Sequence, residues 1–227
     1  MTKTTVLIGG SANSQIHLDA SMANRHGLIS GATGTGKTVT LQILAESFSS
    51  IGVPVFVTDI KGDLSGLTQP GKPHVKIDER IQFIGIEGYQ QRARPAVLWD
   101  VFEKQGLPLR VTISDMGPLL LSNLLELNDT QSGILYACFD LADDDGLLLL
   151  DLKDLKSMLI WMADNAQQLK SEYGNISSSS VAAITRKLLV LEEQGADQFF
   201  GEPAFDLADI MISDFSGFGL INILDAT

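Results

Sequence analysis

The chain has 227 residues, 44% of them hydrophobic, with 7 Pro and 21 Gly, which is the composition of a folded protein and excludes a disordered or collagen-like one. Its 16 basic and 28 acidic side chains leave a net charge of -12, so the molecule as a whole is neither a basic nucleic-acid coat nor a polybasic membrane binder. The charge is uneven: residues 1–110 hold 11 basic and 9 acidic side chains, a balance of +2, and residues 111–227 hold 5 and 19, a balance of -14.

The opening segment lacks the apolar region of a signal peptide, and no stretch approaches the ~18 apolar residues of a membrane span. The expected compartment is the cytoplasm. The single cysteine, Cys138, lies in an apolar run and reads as a reduced core residue.

In chain order, Gly27–Ser30 reads as a short strand. Val39, Leu41, Ile43, Leu44 and Phe48 mark a helix closed by Gly52 and Pro54, and residues 53–58 read as a β-branched strand ending at Asp59. This strand, helix, strand unit predicts a parallel pair with a right-handed crossover. Residues 69–108 are irregular, and the pieces at 81–86 and 96–99 suggest hairpins at a sheet edge. Asn128 with Gln131 predicts a capping box opening a helix through Phe139. Leu152, Leu155, Leu159, Met162, Ala166 and Leu169 recur at helical spacing, a further helix is expected over residues 181–193 after the Ser177–Ser180 run, and residues 218–224 read as a buried central strand. The expected fold is α/β, a P-loop core with a mainly parallel sheet and a helical subdomain, divided as 1–115, 116–215 and a return strand at 216–227.

Gly31-Ala32-Thr33-Gly34-Thr35-Gly36-Lys37-Thr38 matches the phosphate-loop pattern G-x-x-x-x-G-K-[ST] in full. The four constrained positions coincide by chance roughly once in 30,000 windows, and the loop also lies between an expected strand and an expected helix. In this motif glycines let backbone N–H groups approach phosphates, the following helix contributes its positive end, Lys37 reaches the β and γ phosphates as the catalytic cation, and the Thr38 hydroxyl suits Mg²⁺. Gly31 through Thr38, with Val39 behind them, form the expected nucleotide site, with ATP and Mg²⁺ as its occupants.

Asp59 fits two readings: a carboxylate at the carboxyl edge of the sheet holding a Mg²⁺-bound water, or a cap for the turn in Asp59-Ile60-Lys61-Gly62-Asp63. Hydrolysis in the strand-inserted class of these folds needs a strand ending in Asp-Glu, and no apolar run ends so; Asp225 comes nearest but Ala226 follows it. Glu46 and Glu87 read as solvated acids. His26 reads as a local hydrogen-bonding residue or a nucleotide sensor, Arg186 and Lys187 as a solvated helix face or a finger acting in trans, and Arg92 and Arg94 as a short basic run able to touch nucleic acid.

Residues 25–38, the segment Val55-Phe56-Val57-Thr58-Asp59-Ile60-Lys61-Gly62-Asp63-Leu64, residues 127–131 and residues 219–226 together resemble the HerA-like branch of the HerA and FtsK ATPases, particularly its YjgR-type proteins. The resemblance implies a RecA-like ATPase that assembles as a hexameric ring and translocates DNA, with phosphate binding carried over to Gly31–Thr38. The family's acidic pair and arginine finger have no counterpart here, so the chain is expected to be the N-terminal portion of a longer protein and poorly active alone. A non-catalytic scaffold whose acidic second half docks a basic partner is the alternative. A small-molecule kinase ranks below both, since only 6 arginines occur and none cluster in the second half as a lid would require.

Overall fold

The computed structural model describes residues 4–12 and 14–226. In chain order its elements are β1 (Thr5–Ser11), β2 (Ser14–Asp19), α1 (Lys37–Ser50), β3 (Val55–Asp59), α2 (Val75–Ile84), β4 (Ala96–Asp100), β5 (Leu107–Pro108), α3 (Ile113–Leu124), α4 (Asp129–Asp144), α5 (Leu152–Asp164), α6 (Ala166–Tyr173), α7 (Ser178–Glu193), α8 (Ala196–Phe199), α9 (Leu207–Ile210) and β6 (Ile221–Asp225). The fold is α/β, with a mainly parallel sheet consistent with a RecA-like core. The chain forms two compact units: Met1–Asp100 with Gln105–Leu107 and Asp206–Thr227, and Val101–Lys104 with Pro108–Phe205.

The first unit is built on a sheet of order β3-β6-β4-β5. Both β3 and β4 pair in parallel with β6, and the registers set Asp59 opposite Asp225 and Asp225 opposite Asp100, so three strands end together in three aspartates. As expected from its continuous apolar run, β6 is central and buried on both faces. Ile221 and Ile223 pack with Ala45, Leu64 and Leu67, while Asn222, fully buried in the same strand, accepts from Trp99 Nε1 at 3.0 Å and donates to the Ile210 carbonyl at 3.1 Å. Its amide is thereby satisfied in a place where an unpaired one would be costly.

Helix α1 meets this core through small side chains. Ala45 and Ser49, one turn apart, are its buried residues, whereas Val39 and Leu41 face solvent. Its last turn is tied to the chain entering β6: Ser49 Oγ donates to the Gly219 carbonyl at 2.6 Å, and the Gly219 N–H donates to the Ser49 carbonyl at 2.8 Å. A Cβ on Gly219 would stand 2.1 Å from the Val53 carbonyl oxygen, so only glycine permits this approach.

Three expectations for this half are corrected. Residues 27–30 form no strand and Leu28 is 90% exposed; the partner of β3 is β6, so the parallel pair expected across α1 is not made. β3 is the edge strand of its sheet, and a four-residue run opening on glycine offers too little apolar surface to extend the sheet beyond it. Residues 81–84 close α2, which is capped by the His74 side chain and by Gly85 in the left-handed region. Finally, β4 is no hairpin arm: it pairs in parallel with the central strand. The antiparallel pair β1 and β2 has no counterpart in the sequence expectations.

The second unit is helical around one core. Leu152, Leu155, Leu159 and Met162 of α5 are at most 2% exposed, as their spacing predicts, and pack with Leu135 and Cys138 of α4 and Ile184 and Leu188 of α7. The Asn128 and Gln131 capping box is present, and α4 runs five residues beyond Phe139. Asn165 separates α5 from α6, so Ala166 and Leu169 belong to a second helix. Ser177 caps α7, which begins at Ser178 within the serine run. Cys138 is buried and free, and burial pushes its thiol up to about 12. Among the described residues no helix is long and apolar enough to cross a membrane.

Candidate functional site

The glycine loop leads directly into α1. Gly36 caps the helix with φ 96°, a left-handed conformation in which it makes no side-chain hydrogen bond to the free N–H groups of the first turn. No acidic residue occupies that turn, so nothing in it opposes an anion at the positive end of a 14-residue helix. The Ala32 carbonyl gathers three donors: Thr35 N–H at 3.3 Å, Thr35 Oγ1 at 2.8 Å and the Lys37 ammonium at 2.8 Å. These bonds curl residues 32–37 into a hoop. At its base a Cβ on Gly31 would collide with Thr35 Oγ1 at 2.5 Å. Residues 31–35 and Val39 are exposed, so the hoop opens to solvent with its backbone accessible.

This donor set fits a nucleotide triphosphate with Mg²⁺. It offers a glycine cradle, free amides at a helix start, an ammonium in the first helical position and a hydroxyl in the second. Among the described residues no group of three or more His, Cys, Asp or Glu side chains can hold a metal ion alone.

Asp59 stands at the carboxyl end of β3 and is 4% exposed. Its Oδ1 accepts from the N–H groups of Lys61, Gly62 and Asp63 at 3.2, 2.8 and 3.2 Å, and its Oδ2 accepts from Leu64 N–H at 2.8 Å. The carboxylate thus holds the whole 60–64 turn by its backbone, the cap geometry of the turn reading. The turn is folded so that Asp63 lies beside α1: Thr38 Oγ1 donates to Asp63 Oδ2 at 3.1 Å, and Gln42 Nε2 donates to the Asp63 carbonyl at 3.0 Å. The structure therefore brings Thr38 and Asp63 together and links Asp59 to them through the turn, while the Lys37 ammonium is turned to the Ala32 carbonyl. Asp63 was not singled out by sequence reasoning. The available signal was the spacing of two aspartates around Lys61-Gly62, where Gly62 takes φ 72°.

Asp100 caps its own loop, accepting from Gln105 N–H at 2.8 Å. Glu46, expected to be solvated, is partly buried, and burial raises its pKa above the usual carboxylate value against the opposing pull of Arg94. It lines a cavity of about 440 Å³ with Tyr89, Arg92 and Arg94. Arg92 is turned onto Gln90, and the Arg94 guanidinium lies 5.4 Å from the Phe218 ring centre. Glu87 and His26 are exposed. On α7 Lys187 caps the end of α3 through the Leu125 and Glu126 carbonyls, and Arg186 is exposed.

Comparison with known proteins gives one family: the model for the Helicase HerA-like C-terminal family matches residues 4–227. No curated protein matches significantly.

Proposed function

The chain belongs to the HerA-like helicase C-terminal family, a family of motor ATPases, and from that premise we propose that it is the ATP-binding part of a cytoplasmic, YjgR-type motor ATPase that acts on DNA as a hexameric ring. The observation that carries the reading is the glycine hoop opening on α1 with Lys37 and Thr38 in its first turn. In this reading the amides of residues 31–39 hold the triphosphate and Lys37 compensates its β and γ charge. Thr38 Oγ1 is the metal ligand, and Asp59 serves the metal by fixing the turn behind it. Mg²⁺ bound with ATP would neutralise phosphate charge at the bond to be broken.

None of the strand-terminal aspartates Asp59, Asp100 and Asp225 is followed by Glu, the residue that orients water in this class. The chain by itself is therefore a binder with slow turnover or none. A phosphate-release assay on the purified protein tests this. Turnover near about 1 per second that Lys37→Ala abolishes would contradict it.

A scaffold role is the second reading, favoured by the charge of the helical unit, which holds 16 acidic against 7 basic side chains. Capture of DNA by the nucleotide-bound protein supports the motor; binding of a basic protein with no affinity for DNA supports the scaffold.

A further inference from the structure

Thr38 and Gln42 lie one turn apart on α1, and both grip Asp63. One holds its carboxylate through Oδ2 and the other its main chain through the carbonyl, so the side chain is positioned from two directions. Among the described residues the second carboxylate oxygen takes no hydrogen bond, and the side chain is exposed to solvent. Asp59 cannot substitute for it: it is buried, and both its oxygens are engaged by four backbone N–H groups.

We propose that Asp63 is the positioning carboxylate of this nucleotide site, making it select Mg²⁺-ATP over free ATP. The inference rests on the nucleotide-binding reading and extends it to a residue that the phosphate-loop pattern does not contain. Its chemistry is simple. A hydroxyl that donates its proton to a carboxylate turns its lone pairs away from that bond, as a cation ligand must. The same negative charge beside the loop repels a bare triphosphate, whereas a bound Mg²⁺ attracts it and offsets the weaker repulsion from the phosphate charge that remains. Asp63 therefore disfavours free ATP more than Mg²⁺-ATP. A residue that only held the loop in shape would move both affinities the same way.

The experiment is calorimetric titration of the full chain with a non-hydrolysable ATP analogue, once with excess Mg²⁺ and once with EDTA, for the unaltered protein, Asp63→Asn and Asp63→Ala. The Asn variant keeps an oxygen for Thr38 and the shape of the side chain, so it reports on charge even if the Ala variant fails to fold. The expected result is that the ratio of Kd in EDTA to Kd in Mg²⁺ falls at least tenfold in Asp63→Asn, with binding in EDTA equal or tighter. An unchanged ratio, or equal weakening in both buffers, overturns the role of Asp63 while leaving the nucleotide site standing, provided Lys37→Ala still abolishes binding. Absence of binding by the unaltered protein in both buffers overturns the nucleotide reading and this inference with it.

Discussion

Replacing Asp59 with Asn separates a residue that holds a turn from one that holds a metal. The carboxylate accepts four N–H groups, three on Oδ1 and one on Oδ2, and the Leu64 bond is the buried one. An Asn side chain has a single acceptor oxygen. Its least costly orientation keeps that oxygen toward Lys61, Gly62 and Asp63, which sets its NH₂ against the Leu64 N–H, donor against donor. Losing one buried bond to a charged acceptor costs about 1.5–3 kcal/mol, and replacing charged by neutral acceptance in the other three removes roughly 0.5 kcal/mol each, because water reaches those groups. The sum is on the order of 3–4 kcal/mol, a large part of the 5–15 kcal/mol typical of a domain.

Trp99 lies in β4 of the affected unit and Trp161 in the other, so fluorescence in a Trp161→Phe background reports on the right one. With a urea dependence of about 1–3 kcal/mol/M, the midpoint should fall by roughly 1–4 M, in EDTA as much as in Mg²⁺. An unchanged midpoint in EDTA, accompanied by loss of Mg²⁺ affinity, would refute the turn assignment and make Asp59 a metal ligand.

Other positions give equally direct outcomes. Gly219→Ala forces a Cβ against the Val53 backbone and should lower the thermal midpoint of the first unit by several degrees in calorimetry. Asn222→Ala removes, at a fully buried position, the acceptor of the Trp99 indole N–H and the donor to the Ile210 carbonyl, and should cost about 2–4 kcal/mol by the same urea assay. Cys138, its thiol held near 12 by burial, should resist iodoacetamide at pH 8.5 in the folded protein and react on unfolding; rapid native labelling would show that the helical core is open. The Glu46 pKa is raised, so the fold favours its protonated form, and that contribution is present below the unfolded value and lost as pH rises through the folded one. Glu46→Gln should therefore raise the thermal midpoint at pH 7 and leave it unchanged near pH 4; an equal gain at both would mean packing rather than charge.

The features legible from sequence were those carried by local pattern. The glycine loop, the Asn128 cap, the Leu152 to Met162 stripe and the apolar run of β6 each announce themselves within a dozen residues. What the sequence hid depends on who sits beside whom. Residues 96–100 look the same as an edge hairpin arm or as a parallel strand beside β6, because strand pairing is decided by residues more than 120 positions away. Helix α2 carries Lys76, Asp78, Glu79 and Arg80 in its first six residues, so only its last turn, with Ile81, Phe83 and Ile84, stands out as an apolar piece, too short to show a helical stripe. Asp63 becomes part of the site only because Asp59 folds four residues of turn back toward α1, and no periodicity encodes such a return. Residues 27–30 show the converse: a locally acceptable strand pattern forms no ladder beside the edge strand β3 when it is short and, at Leu28, solvent-exposed.

Everything proposed for this protein depends on Mg²⁺-ATP binding at the hoop of Gly31–Thr38. Calorimetric titration of the purified chain with Mg²⁺ and a non-hydrolysable ATP analogue, beside Lys37→Ala at equal thermal stability, tests it most directly. The account predicts one saturable site per chain, lost or weakened at least tenfold in the variant, since removing a charge-assisted phosphate contact costs about 1.5–3 kcal/mol. Identical binding by the two proteins, or none by either, would contradict it.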